Sequence, residues 1–109
     1  MIEKQGNESV EFMDNRISLY SAQYGKCAVT GKVLQKDEIH CHHKIPKFAK
    51  GKDRYENLII IHKDVHTLIH AKKPETIKKY MSLIKPDSNQ FRKINYLREL
   101  ANLVAIKRK

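Results

Sequence analysis

Cysteine is scarce in this chain. Cys27 and Cys41 are the only two, and neither belongs to a C-x-x-C pair. Two cysteines make no disulfide framework, and Thr30 stands where a zinc knuckle begun by Cys27 would place its second cysteine. Long apolar runs are missing too. None approaches the roughly 20 residues that span a bilayer, so a membrane-spanning helix is excluded and no membrane partner is expected. The opening residues, MIEKQGNESVE, lack the apolar centre of a signal peptide, which makes cytoplasmic residence the default expectation. There is no internal repeat, low-complexity tract or composition break, so residues 1–109 read as a single domain. Acids are few, 12 against 22 lysines and arginines, and the resulting net charge of +10 points to a polyanionic partner. A lysine-rich coding bias produces the same surplus, so charge alone names no nucleic-acid protein.

What remains is a chain long enough for one modest core and no more. Residues 1–12 are polar and expected to be frayed, as is the tail 107–109. Asp14 is the candidate N-cap of a helix over Asn15–Tyr24, with Ile17, Tyr20, Ser21 and Tyr24 on one face and Gly25 as its C′ stop. The tyrosines share the stripe of Ile17 and are assigned to the core rather than to DNA stacking. Cys27–Leu34 reads as a turn, carrying Gly31, between short extended pieces. Ile39–Ile45 reads as a strand ended by Pro46, and Leu58–Ile61 as a short buried strand antiparallel to it. The stretch Lys47–Glu56 between them has no apolar period, and a loop of that length in so small a domain is usually functional.

Asp64 is the expected cap of a helix that turns Val65, Leu68 and Ile69 inward. Pro74 suits the first turn of the next helix, whose stripe is Ile77, Tyr80, Met81 and Ile84. Asp87 or Ser88 caps a last helix, where Phe91, Ile94, Leu97, Leu100, Ala101 and Val104 recur at three-four spacing.

All six histidines lie between Glu38 and Ala71. His66 and His70 are one helical turn apart and can present both rings to one point. Strand alternation sends Ile39, Cys41 and His43 to one face, and His40, His42 and Lys44 to the other. Adjacent histidines on a strand are poor partners for a single ion. One can face an ion while the other faces an attacking water, a division between ligand and general base, and an imidazole is well matched to taking a proton at neutral pH. Three imidazoles with open positions make a catalytic rather than a closed structural site. Asn57, at the mouth of the second strand, can brace the loop or the base, although alone it reads as a plain strand-entry residue. Lys44, Lys47, Lys50, Lys52 and Arg54 supply phosphate contacts that give affinity without sequence choice.

Taken together, the adjacent histidines, an Asn 14 positions after the second, a His nine positions later and another four beyond that resemble the HNH, or ββα-metal, endonuclease motif. More narrowly, the segments DNRISLYSAQYGKCAVTGKVL, IHCHHKIPKFAKGKDRYENLIIIHKDVHTLIHA and ETIKKYMSLIK are similar to the C-terminal DNA-endonuclease domain of group II intron-encoded reverse transcriptase/maturases. The likeness runs from about Val10 to Ile106. It implies a mostly helical α+β fold, a ββα-metal core of antiparallel hairpin plus metal-binding helix (about residues 38–71) flanked by N- and C-terminal helices.

It also implies roles by position: His43 as general base, Asn57 as the motif Asn, and His42, His66 and His70 as ligands of one divalent ion. Imidazole ligands suit Zn, Ni and Mn, whereas Mg prefers oxygen. The ion polarises the scissile phosphate and stabilises the departing 3′ oxygen, and water activated by His43 leaves 5′-phosphate and 3′-hydroxyl ends. DNA is the implied partner, with intron RNA or a reverse transcriptase module as further ones; oligomeric state is left open. Many members hold a structural zinc in two C-x-x-C knuckles. Here Thr30, His62 and Val65 stand at knuckle positions, so helices are expected to replace that zinc in preference to a rebuilt site at Cys27, His40, Cys41 and His62. In the similar proteins a reverse transcriptase precedes the domain; a piece of a longer protein, a remnant of a broken intron and a freestanding nuclease all remain open. The function expected is nicking of one DNA strand. The alternatives are a catalytically decayed nucleic-acid-binding module, and a metal-stabilised structural domain with no nucleic-acid role.

Overall fold

A computed structural model describes residues 9–107. In chain order it contains helix α1 (Val10–Ala22), strand β1 (Ile39–His43), strand β2 (Leu58–His62), and helices α2 (Lys63–His70), α3 (Pro74–Ile84) and α4 (Ser88–Leu100). The expected fold class, a mostly helical α+β arrangement around an antiparallel hairpin and its following helix, is what is observed. The expectations placed on residues 1–8 and 108–109 lie outside the described residues.

The hairpin pairs Ile39 with His62 at one end and His43 with Leu58 at the other. β2 is buried along Leu58–Ile61, because α2 covers one side of the hairpin and α1 packs on β2 from the other. A strand covered on both faces reads as a continuous apolar run instead of an alternating one. Each fully buried Ile or Leu here contributes about 1.5–3 kcal/mol. α2 turns Val65, Leu68 and Ile69 into the core, as its spacing predicts. α3 and α4 then pack on α2. Pro74 opens α3, and Asp87 caps α4 in a reciprocal capping box with Gln90. Of the expected α4 stripe, Ile94, Leu97 and Ala101 are buried, while Val104 lies beyond the helix and is exposed.

Several expectations change. α1 starts at Val10, not Asn15, because Ser9 rather than Asp14 is its N-cap and accepts from the Phe12 amide. Residues 9–12 are therefore ordered into the first turn, and Phe12 is buried. The buried face of α1 is Phe12 and Leu19; Ile17, Tyr20 and Tyr24 are exposed. The C′ position belongs to Tyr24, left-handed at φ 55°, and Gly25 follows it at C″. The Gly25 amide reaches the Tyr20 carbonyl and the Tyr24 amide the Ser21 carbonyl, a Schellman ending. β1 stops at His43, short of Ile45, since Ile45 gives its backbone groups to the Asn57 side chain. α2 is capped by the His62 ring, which accepts from the Asp64 amide, so Asp64 is its second residue and not its cap.

Candidate metal centre and active site

β1 carries His40 and His42 on the side facing α2, and His43 on the side facing α1. His42 is 1% exposed. Its Nδ1 lies 3.3 Å from His70 Nε2, and its Nε2 has no hydrogen-bond partner. The rings of His42, His66 and His70 are mutually 4.9 to 5.0 Å apart. One nitrogen from each lies within 4.8 Å of the other two, the only such convergence of three or more His, Cys, Asp or Glu among the described residues. The structure thus brings together the three imidazoles that the sequence pointed to.

Their environment keeps them neutral. Burial pushes His42 down to about 3, and the neighbouring His66, His70 and His43 push the same way. Burial, with His70 and His40, brings His66 down to about 4. His70 is lowered by burial and then by the Arg98 guanidinium. Neutral imidazoles keep the lone pairs that bind cations. His42 Nδ1, 3.3 Å from His70 Nε2, is placed to share an ion with it.

Among the described residues, Cys27, His40, Cys41 and His62 do not converge as a group that could hold an ion. Cys27 Sγ accepts the backbone amides of Thr30 and His62 at 3.5 and 3.3 Å. The His62 ring is held by the Asp64 amide and by Glu38 at 3.0 Å. His40 Nδ1 lies 2.8 Å from His66 Nδ1, beside the imidazole cluster. Cys27, Val29 and Leu34 join the hydrophobic core with residues of the helices and β2.

On the opposite face, His43 stacks on Phe12 with ring centroids 5.2 Å apart and planes 13° from parallel. Its Nε2 lies 2.8 Å from Asp53 Oδ1. Asp53 is only 8% exposed and also accepts from Ser9 Oγ and from Lys47 Nζ at 3.0 Å. Burial alone would raise this carboxyl; the hydrogen bonds from Ser9, His43 and Lys47, with the Lys47 charge, outweigh it and hold it at about 2. An ionised acceptor on Nε2 fixes the proton there and leaves the Nδ1 lone pair available.

The side-chain hydrogen bonds of Asn57 go to Ile45 and Lys52 and not to His43. Its amide donates to the carbonyls of Ile45 and Lys52 at 3.1 and 2.9 Å and accepts from the Ile45 amide, so it braces the loop. Of the predicted phosphate-binding cations, Lys50, Lys52 and Arg54 are exposed. Lys47 is exposed but bound to Asp53, and half-buried Lys44 donates to the Glu56 carbonyl at 3.0 Å.

Residues 26–72 match the HNH endonuclease family model. No curated protein and no solved structure matches the chain. The matched segment contains the hairpin, the basic loop and α2, and with them His42, His43, Asn57, His66 and His70. From outside the matched segment, Ser9 at the N-cap of α1, Phe12 of α1 and Arg98 of α4 reach into it. Arg98 is 3% exposed and donates to the carbonyls of Leu68 and Ala71, both at 2.8 Å, and of Ile69 at 3.3 Å. A cation thus closes the C-terminal end of the helix that carries His66 and His70, where the helix dipole favours it.

Sequence reasoning missed four of these residues, Asp53, Arg98, Ser9 and the Phe12 that it caps. Asp53 had a signal, as the one acid in the run Lys50-Gly-Lys-Asp-Arg54. So did Arg98, a charge four residues after Ile94 on the buried stripe of α4. For Ser9, three residues before a buried Phe12, the signal was too weak to separate from Asp14.

Proposed function

We propose that this protein is a metal-dependent DNA endonuclease that nicks one strand, leaving a 5′-phosphate and a 3′-hydroxyl. One observation carries the reading. Three neutral imidazoles converge on one side of β1, while the adjacent ring, His43, is held by a carboxylate on the other. His42, His66 and His70 would hold the ion. Bound there, it supplies positive charge that polarises the scissile phosphate and eases departure of the 3′ oxygen.

The chain's own residues account for the rest. His43 takes a proton from the attacking water at Nδ1, because Asp53 occupies Nε2 and fixes the tautomer. Phe12 beneath the ring limits its rotation, so the lone pair stays aimed. Asn57 holds the ends of the basic loop together. Lys50, Lys52 and Arg54 contact phosphates and set the register of the strand without reading bases. The likeness of the quoted segments to group II intron maturases supports a place in intron mobility, where the nicked 3′-hydroxyl primes reverse transcription.

The test is a plasmid-nicking assay across divalent ions, with chelator and with His43→Ala alongside. Nicking that requires an ion, disappears with chelator, and is lost in His43→Ala while ion binding stays near normal is the expected result. Loss of ion binding together with cleavage in His43→Ala would refute the separation of base from ligands. Salt-sensitive DNA binding with no cleavage under any ion would leave only a binding module.

A further inference from the structure

Between the two strands the chain makes a compact turn, Pro46–Gly51. The amides of Ala49 and Gly51 both donate to the Pro46 carbonyl at 2.9 Å, and the Lys50 amide to the Lys47 carbonyl at 3.0 Å. Lys50 is left-handed at φ 68°. The turn approaches its own entry so closely that a Cβ on Gly51 would lie 1.7 Å from the Ile45 carbonyl oxygen. Asn57 clamps Ile45 and Lys52, the residues just outside the turn, to each other. Pro46 is buried beneath it. At its apex Phe48 is 81% exposed.

A large ring held in water by a locked turn invites a partner. The surroundings restrict which partner. From Lys44 to Lys52 the sequence, KIPKFAKGK, contains no acid. The next residue, Asp53, is buried and already engaged by Lys47, Ser9 and His43. The rim around Phe48 is therefore cationic, which fits a polyanion. Its position favours nucleic acid over other polyanions, because Lys47, one residue before Phe48, bonds the carboxylate that holds His43.

We propose that Phe48 stacks on a nucleobase of the DNA beside the scissile phosphate, so that the turn grips the substrate through one aromatic face among lysines. Such contacts are sequence-tolerant, since every base offers a π-face. In a duplex, insertion of the ring partly unstacks one base step and kinks the DNA there. The inference rests on the nuclease reading and adds a specific contact to it.

The chain has no tryptophan, so Phe48→Trp is a sole reporter. Phe48→Ala, Phe48→Leu and Phe48→Trp are titrated, in chelator to prevent cleavage, with a short mixed-sequence duplex and its single strand over a salt series. Phe48→Ala and Phe48→Leu are each expected to bind roughly tenfold more weakly at every salt concentration, with the slope of log K against log salt unchanged. Phe48→Trp is expected to bind like the parent and to be quenched at saturation. Because the ring is exposed, all three should melt with the parent protein.

Parent-like affinity in Phe48→Ala or Phe48→Leu, an unquenched Phe48→Trp, or a slope change in Phe48→Ala would each overturn the proposal. So would quenching by phosphatidylserine vesicles but not by DNA, which would point to a membrane surface. If the parent protein binds no DNA, the nuclease reading falls first and this contact with it. If the parent nicks and Phe48→Ala nicks and binds equally well, only the contact falls.

Discussion

At the scale of single residues, the two nitrogens of His43 are in different surroundings. Nε2 is committed to Asp53 at 2.8 Å, and the carboxylate is kept ionised by Ser9, Lys47 and His43 itself. Asp53 is thus a positioning residue: it acts on the substrate only through the ring it holds. Asp53→Asn keeps the shape of the carboxylate but offers an amide that can present a donor to Nε2, favouring the wrong tautomer. Its nicking rate under single-turnover conditions should fall about 100-fold, while metal affinity, measured by titration calorimetry, should stay within a few-fold of the parent. A parallel loss of metal binding would show that Asp53 holds up the fold and does not orient the base. Much of this chemistry was readable beforehand, for a strand sends neighbours to opposite faces and so separates His42 from His43. The identity of the partner on Nε2 was not, since nothing local ties residue 53 to residue 43.

At the scale of elements, the short helix α2 depends on what closes its ends. The His62 ring satisfies its N-terminus, and Arg98 satisfies the carbonyls of Leu68, Ile69 and Ala71 at its C-terminus. An isolated helix this short is unstable in water, so tertiary contacts maintain the one-turn spacing of His66 and His70. Arg98→Ala leaves several buried carbonyls without donors, at about 1–3 kcal/mol for each such group. Urea unfolding should show a loss of about 3 kcal/mol or more, and metal binding should weaken as the last turn of α2 frays. The other end of the site has a similar dependence. Ser9 both caps α1 and donates to Asp53, so Ser9→Ala should cost about 1 kcal/mol for the cap and also slow nicking. A stability loss with parent-like nicking would mean that the second bond is idle.

For the molecule as a whole, the cluster of neutral histidines makes the fold acid-sensitive. Burial and the neighbouring rings push His42 down to about 3 and His66 down to about 4 in the folded protein, against an ordinary imidazole value near 6.5. Below pH 6.5 the unfolded chain therefore binds more protons than the native one, and stability falls as pH falls. The contribution is complete above 6.5 and is lost progressively toward about 3. Asp53, at about 2 against 3.8, adds to the loss in the same direction at lower pH. In chelator, urea midpoints should decline from pH 7 to pH 5. A divalent ion should raise the melting temperature at pH 7, because ligand that binds only the native state stabilises it by mass action, and should do so less at pH 5, where protons compete for the same nitrogens. A midpoint independent of pH in this range would mean that the imidazoles are already protonated or solvent-exposed. The charge of +10 acts at this scale too, and DNA affinity should fall steeply with salt.

What local order encodes was settled by the chain alone. Period-two alternation separates the rings of β1, the four-residue interval aligns His66 with His70, Pro74 starts α3, and Asp87 or Ser88 caps α4. Each is a relation between residues a few positions apart, where backbone geometry leaves little choice. Only the folded molecule decided that Asp53 meets His43, that Phe12 underlies that ring, that Arg98 closes α2, and that Tyr20 and Tyr24 face water while Phe12 and Leu19 face the core. Those relations join segments distant in sequence, so which surface each helix buries, and which charge lies against which backbone, depends on how the elements pack.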